Sequence, residues 1–306
     1  MRERASLTII RPTMAPRHSL RNHPSLRVVI GLFTPLLLLV GAPVAISQNE
    51  LVRVEIVADA LSIRPGTPFW AGVRFQMKKN WHVNWVNPGD AGLAPSVAWR
   101  LPKGFAVGEL LWPYPHAYEI GHLMIFGYSG EVVALARITP PADLDTGASV
   151  TIAADVDWLA CEEGCVPGGA RAQLTIPVRS ERPVPDEKWR SVIQETRRLL
   201  PAESENWSVR ASVFDEDRYL LEIRYRKAVA NPVVRCRFYP RDPEVVENAA
   251  PQDLDRRANG FDLVLKRTNM SLEVPSRLAG VLVAEPGWDE EGRMPALSID
   301  VPMEQR

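Results

Sequence analysis

The chain has 306 residues, with 36 Lys plus Arg against 37 Asp plus Glu and a formal charge of −1 at pH 7. So even a balance offers no basic stripe for a nucleic-acid backbone, and nucleic acid is excluded as a partner. The 27 prolines and 9 tryptophans, together with many alternating apolar segments and few of helical period, point to an all-β protein.

Arg11, Arg17, Arg21 and Arg27 precede an apolar run from Val28 to Val40 that contains Leu36, Leu37, Leu38 and Leu39. This run, interrupted by Pro35, falls short of the ~20 residues a spanning helix needs. Ala45-Ile46-Ser47 then places small residues where a signal peptidase reads. Residues 1–47 therefore read as a cleavable export signal cut after Ser47, with an uncleaved N-terminal anchor as the alternative. The long basic segment leaves Met14 as a possible true start. No later stretch is apolar enough to span a bilayer, so the mature chain is expected in a periplasm-like space without a membrane span. The 259 residues after Ser47 (306 less 47) suffice for two domains, each with its own core.

In chain order, Val52, Val54, Ile56 and Ala58 alternate with Arg53 and Glu55, and Phe69, Ala71, Val73 and Phe75 alternate with Arg74 and Gln76. Both stretches read as half-buried strands. The same period runs through Val150, Ile152, Ala154, Val156 and Trp158, and again through Ala172, Leu174, Ile176 and Val178. Cys161 and Cys165 then fall at the end of a hairpin, on a loop from Leu159 to Ala170 whose turns come from Gly164, Pro167, Gly168 and Gly169. After the proline-rich stretch from Pro177 to Pro185, Trp189, Val192, Ile193, Thr196, Leu199 and Leu200 recur at helical spacing between Asp186, an N-cap, and Pro201. Strands resume around Trp207 to Val213, Tyr219 to Tyr225, Val234 to Phe238, Phe261 to Leu265, Val281 to Val283 and Leu297 to Val301. The fold expected is two immunoglobulin-like β-sandwich domains joined by a short helix-containing linker, divided as 48–180, 181–201 and 202–306.

Two thiols this close in an exported chain are oxidised unless something keeps reducing them, so the pair is a fixed staple or a redox switch. Three intervening residues on a turning loop can bring the Cα atoms within bonding reach. Closing so short a loop removes little unfolded-state entropy, which weakens the staple as a reason for the spacing. Glu162 and Glu163 put negative charge between the sulfurs and disfavour thiolate. Trp158 and Leu159 either shelter the sulfurs or, for Trp158, simply fill the core at a strand end.

The segment Trp158-Leu159-Ala160-Cys161-Glu162-Glu163-Gly164-Cys165-Val166-Pro167 resembles the cysteine loop of the N-terminal periplasmic domain of DsbD-like thiol:disulfide interchange proteins, the copper-sensitivity suppressor branch included. Upstream, Trp81-His82-Val83-Asn84-Trp85-Val86-Asn87-Pro88-Gly89-Asp90-Ala91-Gly92 is similar to that family's Trp-His-x-x-Trp-x-Asn-Pro-Gly-Asp-x-Gly signature, and Leu111-Trp112-Pro113 with Gly127-Tyr128 fits the segment that follows. The second half, through Phe238-Tyr239-Pro240 and Leu278-Ala279-Gly280-Val281-Leu282, is similar to the second immunoglobulin-like domain of the copper-sensitivity branch. The resemblance implies that Cys161 and Cys165 are the catalytic pair. It also implies electron exchange with thioredoxin-fold periplasmic proteins and a membrane-bound reductase, because the multi-helix membrane portion and thioredoxin-like domain of full-length members are not in this sequence. A cap loop over the cysteines would correspond to residues 113–126, with Tyr118 as its lid.

No cofactor and no resident metal are expected. His116 and His122 could join the two cysteines in a soft site for Cu(I), but the spacing matches no recurrent metal motif. The alternative to a relay is thus a non-catalytic module that holds copper or a partner and keeps a structural disulfide. His82 reads as a structural histidine that could orient the cysteine loop, and Cys236 as a buried unpaired thiol on a strand.

Overall fold

The structure, a computed structural model, describes residues 48–305 apart from 230 and 272, so the export-signal reading of residues 1–47 lies outside the described residues. A short helix α1 (Gln48–Leu51) leads into β1 (Val52–Ala58), β2 (Phe69–Met77), β3 (His82–Gly89), β4 (Ser96–Arg100) and β5 (Ala106–Val107). Then follow β6 (His116–Ile120), β7 (Leu123–Ser129), β8 (Glu131–Thr139), β9 (Ser149–Cys161) and β10 (Cys165–Pro177). They form a sandwich of a four-stranded sheet, β1-β2-β8-β5, on a six-stranded one ordered β10-β9-β3-β7-β6 with β4 also paired to β9. Val73 and Phe75 of one sheet and Ile152, Ala154, Val156, Trp158 and Ala160 of the other are buried against each other, the inward halves of two alternating patterns.

The helix expected between the two halves is α2 (Glu187–Arg198), and Asp186 caps it, its carboxylate accepting from the Lys188 and Trp189 amides at 3.1 and 3.3 Å. The helix also packs on the first sandwich. Ile193, with Trp189 and Val192, packs on Val57, Val133 and Leu135, the outer face of the four-stranded sheet. This explains a strand that alternation could not reveal: Val132, Val133, Ala134, Leu135 and Ala136 of β8 are all buried, because helix covers one face and sandwich core the other.

The second half comprises β11 (Trp207–Val213), β12 (Arg218–Tyr225), β13 (Arg235–Pro240), β14 (Asp253–Arg257), β15 (Gly260–Lys266), β16 (Arg277–Glu285) and β17 (Ala296–Glu304). Its strand path runs β13-β16-β17-β11-β12-β15-β14, with β17 antiparallel to β16 along most of its length and parallel to β11 only at Met303 and Glu304. The two layers enclose Trp207, Phe261, Leu263, Leu282, Trp288 and Ile299. The two tryptophans meet edge to face at 5.0 Å, and the indole N–H of Trp207 donates to the Trp288 carbonyl. The described residues are therefore all-β, two immunoglobulin-like sandwiches with one substantial helix.

The sandwiches do not keep wholly separate cores. Tyr239, Val281 and Ala296 of the second belong to the same buried cluster as Trp85 and Phe126 of the first. Phe126 meets Tyr239 edge to face with centroids 5.0 Å apart, and Trp85 meets it at 6.5 Å. Each such aromatic pair adds roughly 0.5–1.5 kcal/mol beyond the area it buries.

Candidate functional site

Cys161 and Cys165 are joined by a disulfide, with Cα atoms 4.1 Å apart. The strands run on to the cysteines themselves: Cys165 is the register partner of Cys161, and only Glu162, Glu163 and Gly164 make the turn. The loop expected from Leu159 to Ala170 is thus mostly ladder. Its glycines and proline misled because they serve other needs. Pro167 lies on β10, the edge of its sheet, where a missing amide donor is tolerated. Gly168 lies opposite Trp158, and a Cβ there would come within 2.4 Å of the indole ring. Gly168→Ala is accordingly expected to destabilise the fold by about 1–3 kcal/mol through overpacking, read as a lowered urea midpoint at unchanged m.

Trp158 faces away from the sulfurs. It lies on the inward side of β9, 4% exposed and edge-on to Phe75 at 6.3 Å, so it is a core residue and no shelter for the disulfide. Cys161 has the opposite parity and points outward, yet is itself only 4% exposed. Cys165, its partner, is exposed.

The cover over Cys161 comes from the neighbouring strands. Cys161 pairs with His82 of β3, and His82 pairs with Ser129 of β7, so Ser129, His82, Cys161 and Cys165 form one row across the outer face of the sheet. Across the start of this row lies the hairpin β6–β7. The ring of Tyr118 stacks on His82 with centroids 5.8 Å apart and planes 22° apart, and its hydroxyl donates to Ser129 Oγ at 3.0 Å. The lid anticipated at Tyr118 is therefore a strand residue lying over His82, one strand across from the buried sulfur.

His82 is buried, and desolvation lowers its pKa from the ordinary 6.5. Between the folded and unfolded values the unfolded chain holds more protons, so the stability associated with neutral His82 is complete above pH 6.5 and falls as the solution is acidified through the folded value. In His82→Gln this part of the acid-side loss is expected to vanish, seen as a shallower fall in urea midpoint below pH 6.5 than in the native sequence.

The signature residues after His82 do a structural job that sequence alone did not reveal. Asn87 is 1% exposed; its Nδ2 donates to the carbonyls of Pro240 and Asp242 in the second sandwich at 2.9 and 3.2 Å, while its Oδ1 accepts from the Gly89 amide. Gly89 has a positive φ of 83°, and a Cβ there would strike the Met124 carbonyl at 2.3 Å. Asp90 exchanges two hydrogen bonds with Met124 of β7: its amide donates to the Met124 carbonyl at 2.9 Å, and its Oδ2 accepts from the Met124 amide at 2.7 Å.

His116 and His122 do not join the cysteines. His116 lies on β6 with its ring against Tyr114 and Tyr118, at 5.8 and 6.5 Å, and His122 lies in the turn between β6 and β7. Among the described residues no three His, Cys, Asp or Glu side chains gather as a metal site. Cys236 is unpaired and half-buried rather than fully buried, sits opposite Ala284 on β13 in the second sandwich, and desolvation raises its thiol pKa. Among the described residues no helix is long and apolar enough to cross a membrane.

Residues 48–177 match the family described as thiol:disulfide interchange protein DsbD, N-terminal. In fold, the chain is similar to the N-terminal periplasmic domain of ScsB from Proteus mirabilis, at 14% identity and a TM-score of 0.59, over 85% of this chain and 96% of that one. A second similar structure is the DsbD N-terminal domain of Neisseria meningitidis in the reduced form, at 12% identity and a TM-score of 0.27, over 46% of this chain and 95% of that one. No curated protein sequence matches the chain. The family match covers the cysteine hairpin, the signature and the cap in one continuous stretch: residues 48–177 are a DsbD-like N-terminal domain of the thiol:disulfide interchange family.

Proposed function

We propose that the chain is an exported, periplasmic thiol–disulfide exchange protein in which Cys161 and Cys165 relay electrons between thioredoxin-fold partners and a membrane-bound reductase. Residues 48–180 carry the reaction, residues 181–201 link, and residues 202–306 form a second domain. The observation that carries this reading is the unequal exposure of one bonded pair: Cys161 is 4% exposed, whereas Cys165 is open to solvent at the end of an edge strand. A partner thiolate reaches Cys165 Sγ and not Cys161.

Attack at Cys165 forms a mixed disulfide, breaks the Cys161–Cys165 bond and expels Cys161 as a thiolate, which takes up a proton. A second thiol on the partner then displaces Cys165, leaving the partner oxidised and this domain as a dithiol that has gained two electrons and two protons. The reverse sequence hands them to the next protein. The staple reading fares worse on loop length, because the bond joins residues only four positions apart and closing so short a loop removes little entropy from the unfolded chain.

Cys161→Ser, which leaves the exposed thiol, is expected to accumulate dithiothreitol-sensitive adducts with thioredoxin-fold proteins in a periplasmic background, and Cys165→Ser is not. The native pair is expected to have a reduction potential above about −300 mV. A lower potential together with no such adducts would overturn the relay.

A further inference from the structure

The hairpin whose Tyr118 lies on His82 is fastened at its far end to the second sandwich, through the Phe126–Tyr239 ring contact and through one polar side chain. Asp90 Oδ2 accepts from the Met124 amide of β7 at 2.7 Å, while Asp90 Oδ1 accepts from Asn248 Nδ2 of the second sandwich at 2.8 Å. Asn248 is 7% exposed, and its backbone carbonyl accepts from the Arg237 guanidinium at 2.9 Å. That same guanidinium lies 5.9 Å from the ring centroid of Phe126 on β7 and 5.6 Å from that of Tyr239. Five residues beyond Met124, β7 reaches Ser129, which accepts from the Tyr118 hydroxyl. The second sandwich thus grips the strand on which the lid is hung.

We infer that Asp90 is a positioning residue for the disulfide, linking the second sandwich to the β6–β7 hairpin so that Asn248 helps hold the Tyr118 lid closed on His82, the register partner of Cys161. The inference rests on the exchange reading for its biological meaning, but its physical content is the opening equilibrium of a hairpin. Local opening of this kind is governed by the few contacts at the moving element, independently of global stability. Without the Asn248 tie, β7 keeps its ladder to β3 and β6, its two bonds to Asp90 and its Phe126–Tyr239 contact, and loses only the hydrogen bond that joins Asp90 to the second sandwich.

The test uses the whole chain and dithiothreitol, a small dithiol that needs no docking surface. The rate at which it reduces the Cys161–Cys165 bond is expected to rise about fivefold in Asn248→Ala, the effect of one hydrogen bond on a local opening. Tyr118→Ala is expected to raise the rate by itself, and the double variant Tyr118→Ala/Asn248→Ala to be no faster than Tyr118→Ala, because both act through the same lid. Asp90→Asn is expected to keep the native rate: Asn248 Oδ1 has no partner, so an amide at position 90 restores the tie after a flip. An unchanged rate in Asn248→Ala, or rate increases that multiply in the double variant, would overturn the inference. Failure of the adduct experiment would leave these rates unaffected, so the two readings fail separately.

Discussion

Reduced Cys161→Ser is expected to react with a bulky maleimide faster than reduced Cys165→Ser, by on the order of tenfold or more, because access differs between the two sulfurs far more than their chemistry does. Cys165 stands exposed on an edge strand. Cys161 is 4% exposed and lies beside His82, on which Tyr118 stacks. Labelling both variants folded and again in urea, followed by intact mass, isolates the structural part, since the two rates should converge once the chain unfolds. Equal rates in the folded proteins would remove the asymmetry on which the order of attack depends. The same asymmetry gives the second sulfur its role: a buried leaving group is withheld from stray oxidants and other thiols while the exposed one carries the mixed disulfide.

The strands that sequence revealed are those whose outer face is polar over several positions. β9 and β10 alternate because one side meets the core and the other water, and β1 and β2 alternate where Arg53, Glu55, Arg74 and Gln76 face outward, although α2 covers Val57 and Trp70. β8 shows no alternation because α2 buries its second face, and Gly168 and Pro167 look like turn residues, so the pattern predicts a long loop where the structure has a tight turn from Glu162 to Gly164. Glycine opposite a tryptophan and proline on an edge strand are steric solutions inside a ladder, and no local pattern distinguishes them from a bend. The cysteines themselves were legible from spacing and compartment. Their unequal burial was not, since it depends on His82 and Tyr118, which lie 79 and 43 positions before Cys161 and reach it only through strand order. The signature Asn87-Pro88-Gly89-Asp90 was visible as a motif, yet its partners Pro240, Asp242 and Asn248 are more than 150 residues away. Had the second half been read only as an appended domain, nothing would have suggested that it grips the first.

Asn87→Asp is expected to be among the most damaging single-atom changes in the chain, and to show its cause through pH. The native amide donates to two carbonyls of the second sandwich from a site 1% exposed. A carboxylate in its place offers no donor, faces two carbonyl oxygens and is cut off from water, for a cost near neutral pH of about 3 kcal/mol or more. Desolvation and the facing oxygens would raise the folded-state pKa of that carboxyl above the unfolded value of ~3.9. The folded protein then binds more protons than the unfolded one in the window above pH ~3.9, so the variant's deficit should shrink as pH falls through the folded pKa and a protonated carboxyl regains one donated bond. Urea midpoints for the native chain, Asn87→Asp and Asn87→Ala at pH 4.5 and 7.5 separate the contributions. Asn87→Ala, which leaves the two carbonyls and the Gly89 amide without their partner, should lose about 2–4 kcal/mol at both pH values. Asn87→Asp should be worse than alanine at pH 7.5 and should narrow the gap at pH 4.5. If both variants lose little and show the same pH dependence as the native chain, the joint between the sandwiches is wet and loosely held, and a grip on the lid transmitted through it would have no rigid anchor.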